Sequence, residues 1–145
     1  MDKRKFNIGL LAVYGAFMLW LLFDRPGYDP AIPYWEQVTQ QLNPVPFRTL
    51  RLFANLLDSS VRSHILMAVI NLGGNIIMFI PLGLLLPKVF PKLATLFRIL
   101  IVTAIVIIIV EITQLFTLVG SCDIDDLILN LLGAAIGYGI FKLSN

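Results

Sequence analysis

The chain concentrates its acidic side chains in one short stretch of an otherwise apolar C-terminal half. Residues 111 to 130 read EITQLFTLVGSCDIDDLILN, with Glu111 inside a hydrophobic run and three aspartates within four residues, at positions 123, 125 and 126. A buried carboxylate of this kind can act as a general base, bind a cation or pair with an arginine. Gln114 follows Glu111 by three residues and therefore shares its face of a helix. The stretch predicts a polar site, and Glu111 and Asp126 are the candidate catalytic residues.

The composition indicates that this site is held by a membrane protein. Of 145 residues, 58% are hydrophobic and only 14% are charged, and the mean hydropathy is +0.86. Soluble domains are typically about 25% charged. The net charge of +2 and the lack of a long basic run give no indication of nucleic-acid binding. One cysteine and one histidine exclude an internal disulfide and any metal site built from several His and Cys ligands.

Four apolar segments are long enough to cross a bilayer, which requires about 20 residues per helix. They cover residues 6–23, 65–86, 97–119 and 127–143, and Glu111 lies within the third. The first is predicted to be an uncleaved span, because its 18-residue apolar stretch is long for a signal peptide and no small-x-small cleavage pattern follows. The predicted fold is all-α: a polytopic membrane protein with four transmembrane helices, forming one domain over residues 1–145.

The basic residues predict the orientation of these spans. If both termini are cytoplasmic, all five lysines fall on the inner side, in agreement with the positive-inside rule. The loop between spans three and four then lies outside with only acidic charges, and residues 24–64 form a long outer loop. Within that loop, apolar residues at helical spacing over 32–42 and 49–61 predict two short helices lying in the membrane interface.

Three spans bring polar side chains to a similar depth. Glu111 lies about eight residues below the outer end of span three, roughly 12 Å deep. A charge at that depth costs on the order of 2.5 to 3.5 kcal/mol unless it faces the bundle interior. Asn71 and Asn75 in span two bracket the same depth. In span four, Asp126 and Asn130 lie on one face, and we expect these residues to share a pocket with Gln114.

Further along that face of span four, Gly133 and Gly137 extend the stripe at a helical spacing. Small residues at such positions let two helices approach closely. The pattern therefore predicts tight packing of span four, with its polar outer end directed at the other helices.

Structural roles for these residues remain open at this stage. Asp123 and Asp126 are typical of a helix N-cap and a first-turn acid, and such a structural role can be the whole role of Asp123 and Asp125. Asn71 and Asn75 in span two can have a purely structural role, in which they form hydrogen bonds between helices. Glu111 can form a buried ion pair with an arginine of the outer loop.

Four sequence blocks resemble, in order, the signature blocks of the VanZ-like family. They are NPVPFRTL, NLGGNIIMFIPLGLLLP, EITQLF and GSCDIDDLILNLLGAAIGYGIFKL, and they extend from about Asn43 to Leu143. The resemblance implies a multi-pass protein of the bacterial plasma membrane, in a family named after a member that raises resistance to the lipoglycopeptide teicoplanin. It implies no established reaction.

The resemblance also carries site residues onto this chain: Arg48, Asn75, Pro81, Glu111, Gln114, Asp123, Asp126 and Asn130. With Asn71 added from its spacing, the predicted ligand-binding set is Arg48, Asn71, Asn75, Glu111, Gln114, Asp123, Asp126 and Asn130. One departure concerns the loop GSCD. Many family members have an arginine there, whereas this chain has Ser121 and Cys122, so any anion-binding role falls to Arg48.

Three functions are compatible with these observations. The favoured one is a non-enzymatic envelope protein whose polar cluster binds an outer-leaflet lipid, glycolipid or lipoglycopeptide. The alternative is an enzyme acting on a polyprenyl-linked or phospholipid head group, with Glu111 as base, Arg48 as anion clamp and a divalent cation on the aspartates. No other cofactor is expected. A transporter is disfavoured because four spans are few and the polar residues crowd one leaflet, although a homodimer would alter that judgement.

Overall fold

A computed structural model describes residues 2–24 and 27–144 of the chain. The described residues form α1 (Lys3–Phe23), α2 (Tyr34–Gln41), β1 (Leu42–Asn43), α3 (Arg48–Leu57), α4 (Arg62–Val89), a 3₁₀ turn (Pro91–Leu93), α5 (Leu96–Thr117), β2 (Cys122–Asp123) and α6 (Ile124–Leu143). The helices α1, α4, α5 and α6 are long and apolar enough to cross a membrane. The predicted all-α fold with four spans is confirmed.

Helices α1 and α6 begin about three residues before the predicted apolar spans, because polar side chains cap their N-terminal ends. The side chain of Asp2 accepts a hydrogen bond from the Arg4 N–H at 3.0 Å at the start of α1. The Asp123 side chain accepts one from the Asp125 N–H at 2.9 Å at the start of α6. Such caps satisfy donors that the first helical turn leaves free. The interpretation of Asp123 as an N-cap is confirmed.

The two short helices predicted in the long loop are present as α2 and α3. Val38 of α2 is buried against Leu115 and Leu118 at the end of α5. The Tyr34 hydroxyl donates to the Phe116 carbonyl at 2.8 Å. Helix α2 is therefore fixed to the bundle through the end of α5.

A two-residue parallel strand pair was not predicted. Leu42 of β1 pairs with Cys122, and Asn43 pairs with Asp123 of β2. This pairing joins the long loop to the connection between α5 and α6, and it places residues 43 and 123 side by side.

Helices α4 and α6 run in the same direction and pack closely through glycines. A Cβ on Gly133 would lie 2.1 Å from the Ile76 carbonyl oxygen, and one on Gly137 would lie 2.0 Å from that of Ile80. No side chain fits at such distances, so the close packing predicted for span four is confirmed. Helix α1 lies at the edge, where it packs mainly on α4 and where the Tyr14 hydroxyl donates to the Met78 carbonyl at 2.8 Å.

Candidate functional site

Glu111 is held by the backbone of the loop that follows its own helix. Its side chain is only 8% exposed. Helix α5 ends at Thr117, the capping residue Leu118 adopts a left-handed conformation with φ 59°, and the chain then turns back. As a result, the Asp123 N–H donates to Glu111 Oε2 at 3.0 Å. The other carboxylate oxygen, Oε1, accepts no hydrogen bond from the described residues.

A polar cavity of about 70 Å³ lies between α1, α4, α5 and α6 and is bordered by the loop before β2. Its lining combines the polar residues predicted on three spans with a few apolar side chains: Leu22, Asn75, Met78, Phe79, Ile107, Val110, Glu111, Gln114, Gly120, Ser121, Asp126 and Asn130. Five predicted site residues thus meet in one place, as their spacings and depths indicated. Their role in ligand binding stays a prediction.

Hydrogen bonds fix most of these polar groups in place. The Asn75 amide donates to Asp126 Oδ1 at 2.5 Å and connects α4 with α6. The Gln114 amide donates to the Leu22 carbonyl at 2.9 Å and connects α5 with the end of α1. These bonds orient the cavity wall before any ligand arrives.

Asn130 differs from its neighbours because its carbonyl oxygen is unsatisfied. The residue is 5% exposed, and Oδ1 is buried with no hydrogen-bond partner among the described residues. Buried polar atoms are nearly always paired, with protein or with ordered water. A water molecule or a donor group of a ligand would satisfy this acceptor.

Asp123 connects the cavity to the long loop. Its Oδ2 accepts hydrogen bonds from the Asn43 amide at 2.9 Å and from the Thr49 hydroxyl at 2.5 Å, while its N–H contacts Glu111. The roles of Asn43 and Thr49 were not predicted from the sequence. Their only signal was membership of the block NPVPFRTL, since two loops separated by about 80 residues show no common periodicity. Asp123 therefore lies one layer outside the cavity and supports Glu111.

Asp125 caps a helix other than its own. Its side chain is 0% exposed, and its two oxygens accept from the N–H groups of Phe47 at 2.6 Å and Leu50 at 3.0 Å, at the start of α3. A carboxylate at a helix N-terminus is favoured by the free N–H groups and the helix dipole. Asp125 thus has a structural role that ties α3 to α6.

The comparison with protein families agrees with the resemblance seen in the sequence blocks. The model of the VanZ/LLP1 family matches residues 10–145, which include every residue of the cavity. The chain belongs to the VanZ/LLP1 family. It is also 30% identical over 139 residues to Protein VanZ of Enterococcus faecium, which covers 94% of this chain and 74% of that protein. No solved structure matches the chain significantly.

Besides Asp123, two other residues of the predicted site of this VanZ/LLP1 chain lie outside the cavity. Arg48 is exposed at the first position of α3, and it forms no ion pair with Glu111. Asn71 is exposed, and its amide donates to the Met67 carbonyl of its own helix at 2.7 Å. Asn71 lies one helical turn before Asn75 on α4, and it is not part of the cavity lining. The structure therefore does not support Arg48 as the charge partner of Glu111.

The acidic residues and the cysteine of this VanZ/LLP1 site can be assessed as metal ligands and as a nucleophile. Within residues 2–24 and 27–144, no three His, Cys, Asp or Glu side chains are grouped so that they would hold a metal ion. Both Asp123 and Asp125 already accept hydrogen bonds from the protein. Cys122 lies in the loop before α6, and burial raises the pKa of its thiol above the ordinary value. The negative charges of Glu111 and Asp123 raise this pKa further. A thiol with a raised pKa is a weak nucleophile near neutral pH.

Proposed function

We propose that this member of the VanZ/LLP1 family is a non-enzymatic protein of the bacterial plasma membrane that modulates resistance to teicoplanin-type lipoglycopeptides. Its polar cavity holds the head group of a lipid, a glycolipid or the drug itself. The observation that carries the proposal is the unsatisfied Asn130 oxygen in a cavity that also contains Glu111 and Asp126. The family match supports the resistance phenotype, and the cavity supports binding.

The chemistry of the cavity favours a ligand rich in hydrogen-bond donors. Glu111 and Asp126 contribute carboxylates, and Asn130 contributes a free carbonyl oxygen. Ionised carboxylates only accept hydrogen bonds. Hydroxyl and amino groups, as found on sugars, are the matching partners. A volume of about 70 Å³ exceeds the roughly 10–15 Å³ that one water requires, so the cavity accepts a small polar group of a larger molecule.

The proposed orientation places this cavity towards the outer leaflet. The end of the bundle with the α1 N-terminus and the α4–α5 turn carries all five lysines. The cavity lies at the opposite end, where α5 ends and α6 begins. With both termini cytoplasmic, as the positive-inside rule favours, the ligand is an outer-leaflet molecule.

A pair of asparagine variants tests this function. Asn130→Leu removes the unsatisfied acceptor at similar volume, and Asn71→Leu makes the same change at an exposed position outside the cavity. Expressed in a susceptible Gram-positive host at equal membrane abundance, Asn130→Leu is expected to lose protection against teicoplanin. Asn71→Leu is expected to retain it. Full protection by Asn130→Leu would exclude a role for the cavity.

A second candidate is a membrane enzyme that modifies a polyprenyl-linked or phospholipid head group. The observation in its favour is the buried Glu111 carboxylate, which lines the same cavity as Ser121 and would act as a general base in such an enzyme. Mass spectrometry of lipids from membranes with and without the protein separates the two functions. A changed head group that disappears in Glu111→Gln would favour the enzyme.

A further inference from the structure

An apolar groove runs along the membrane-spanning part of the bundle beside the polar cavity. It has a volume of about 300 Å³ and is lined by one face of α1 together with residues of α4 and α5: Leu11, Tyr14, Gly15, Met18, Leu19, Leu22, Phe79, Leu82, Leu86, Val106 and Val110. We call it the side groove. It exists because α1 packs mainly against α4 and reaches α5 through the Gln114–Leu22 hydrogen bond near its end.

The side groove and the polar cavity adjoin each other. Leu22, Phe79 and Val110 belong to the lining of both. From the side groove to the polar cavity, the lining changes from apolar to polar at the level of these three side chains. The combined shape therefore has a polar head and an apolar tail, which is the form of an amphiphile.

The groove also opens on the lipid-facing side of the protein. Leu19 on α1 is 59% exposed, and Val106 on α5 is 40% exposed, although both line the groove. Within a bilayer, the medium that contacts such a surface is hydrocarbon and not water. A molecule that moves in the membrane plane reaches the cavity through this opening without leaving the bilayer.

Resting on the function proposed above, we propose that the side groove binds the hydrocarbon chain of the same molecule whose head group occupies the polar cavity. The ligand is thus a single amphiphile with a hydroxyl- or amine-bearing head and at least one acyl or prenyl chain. It enters sideways, between α1 and α5. A water-soluble ligand without a chain would leave the groove unused and is not the preferred class.

Two glycines of α1 provide a matched pair for the test. Gly15 lines the side groove, whereas Gly9 is not part of its lining. A Cβ at either position would have no atom within 4 Å, so both sites have space for a side chain. Gly15→Phe is expected to fill the groove, and Gly9→Phe is expected to add the same ring elsewhere on the helix.

The experiment uses the full-length protein in vesicles that contain a glucosyl diacylglycerol with a diazirine on its acyl chain. After illumination, mass spectrometry is expected to find the label on α1 and α5 peptides around residues 15–19 and 106–110. We expect Gly15→Phe and Asn130→Leu each to reduce this labelling at least about fivefold, equivalent to about 1 kcal/mol of binding free energy, while Gly9→Phe leaves it unchanged.

The possible failures of the two proposals are distinct. The inference is overturned if labelling persists in the Gly15→Phe variant. It is also overturned if labelling persists in the Asn130→Leu variant, because bulk lipid would then be filling the groove. If this occurs while Asn130→Leu still abolishes teicoplanin protection, the proposed function stands without the groove. If Asn130→Leu keeps protection, the head-group function itself fails.

Discussion

The backbone N–H of Asp123 donates to the carboxylate of Glu111 across twelve residues, at 3.0 Å. The bond connects the loop that covers the cavity to the acidic residue inside it. One carboxylate oxygen is therefore used for structure, while the other has no protein donor among the described residues. The two oxygens of Glu111 can be tested separately, because different substitutions remove different parts of this arrangement.

Glu111→Gln is expected to keep the fold, because the amide oxygen still accepts from the Asp123 N–H. Glu111→Leu leaves that buried donor without an acceptor, which typically costs about 1 to 3 kcal/mol. Thermal unfolding in detergent measures the difference, and we expect a clearly lower Tm only for the leucine variant. Equal Tm values for the two variants would show that the bond contributes nothing to stability.

The reactivity of the Cys122 thiol is expected to depend on the charges of Glu111 and Asp123. At a pH below the raised pKa of its thiol, the thiolate fraction is small, so alkylation by iodoacetamide is slow and becomes faster as the pH rises. Glu111→Gln removes one of the negative charges that raise this pKa. The pKa should therefore fall, and the alkylation rate at pH 8 should increase severalfold. The exposed acid Glu36 provides the control, and Glu36→Gln should leave the rate–pH profile unchanged.

The packing of α4 on α6 is sensitive to single methyl groups. Gly137→Ala would place a Cβ 2.0 Å from the Ile80 carbonyl oxygen, and overpacking of this kind costs about 1 to 3 kcal/mol or more. Gly139→Ala is the matched control, since nothing lies within 4 Å of its Cβ position. Size-exclusion chromatography and thermal unfolding in detergent should show loss of the folded protein for residue 137 alone.

Asp125 is predicted to control the order of α3. Asp125→Ala leaves the N–H groups of Phe47 and Leu50 unsatisfied, at an expected cost of about 1 to 3 kcal/mol. Limited proteolysis should then cut between residues 44 and 61 faster than in the unmodified protein. Asp58→Ala removes an exposed acid at the other end of α3 and should not change the cleavage rate.

The proposed topology is tested by cysteine labelling in a Cys122→Ser background. A membrane-impermeant maleimide added to intact cells should label Asp58→Cys, which is exposed in the long loop, but not Lys92→Cys in the α4–α5 turn. Labelling of residue 92 from outside would reverse the orientation and place the polar cavity at the inner leaflet.

The amino-acid sequence was sufficient for the spans and for the centre of the cavity. Span length follows from composition, and the meeting of Asn75, Glu111 and Asp126 follows from helical spacing and depth. The contacts of Asp123 with Asn43 and Thr49 could not be predicted in this way, because they join two irregular segments that have no helical periodicity in common. The exposed position of Arg48 could not be predicted for the same reason, since it depends on how Asp125 fixes the start of α3.

The strand pair between residues 42–43 and 122–123 also determines the order in which the protein is completed. During synthesis, Leu42 and Asn43 emerge long before their partners, and they remain unpaired until residues 122 and 123 have been made. The capping of α3 by Asp125 and the contact between Asp123 and Glu111 must wait for the same event. The polar cavity is therefore expected to be among the last parts of the molecule to form, and a chain interrupted before the fourth span is expected to insert in the membrane without it.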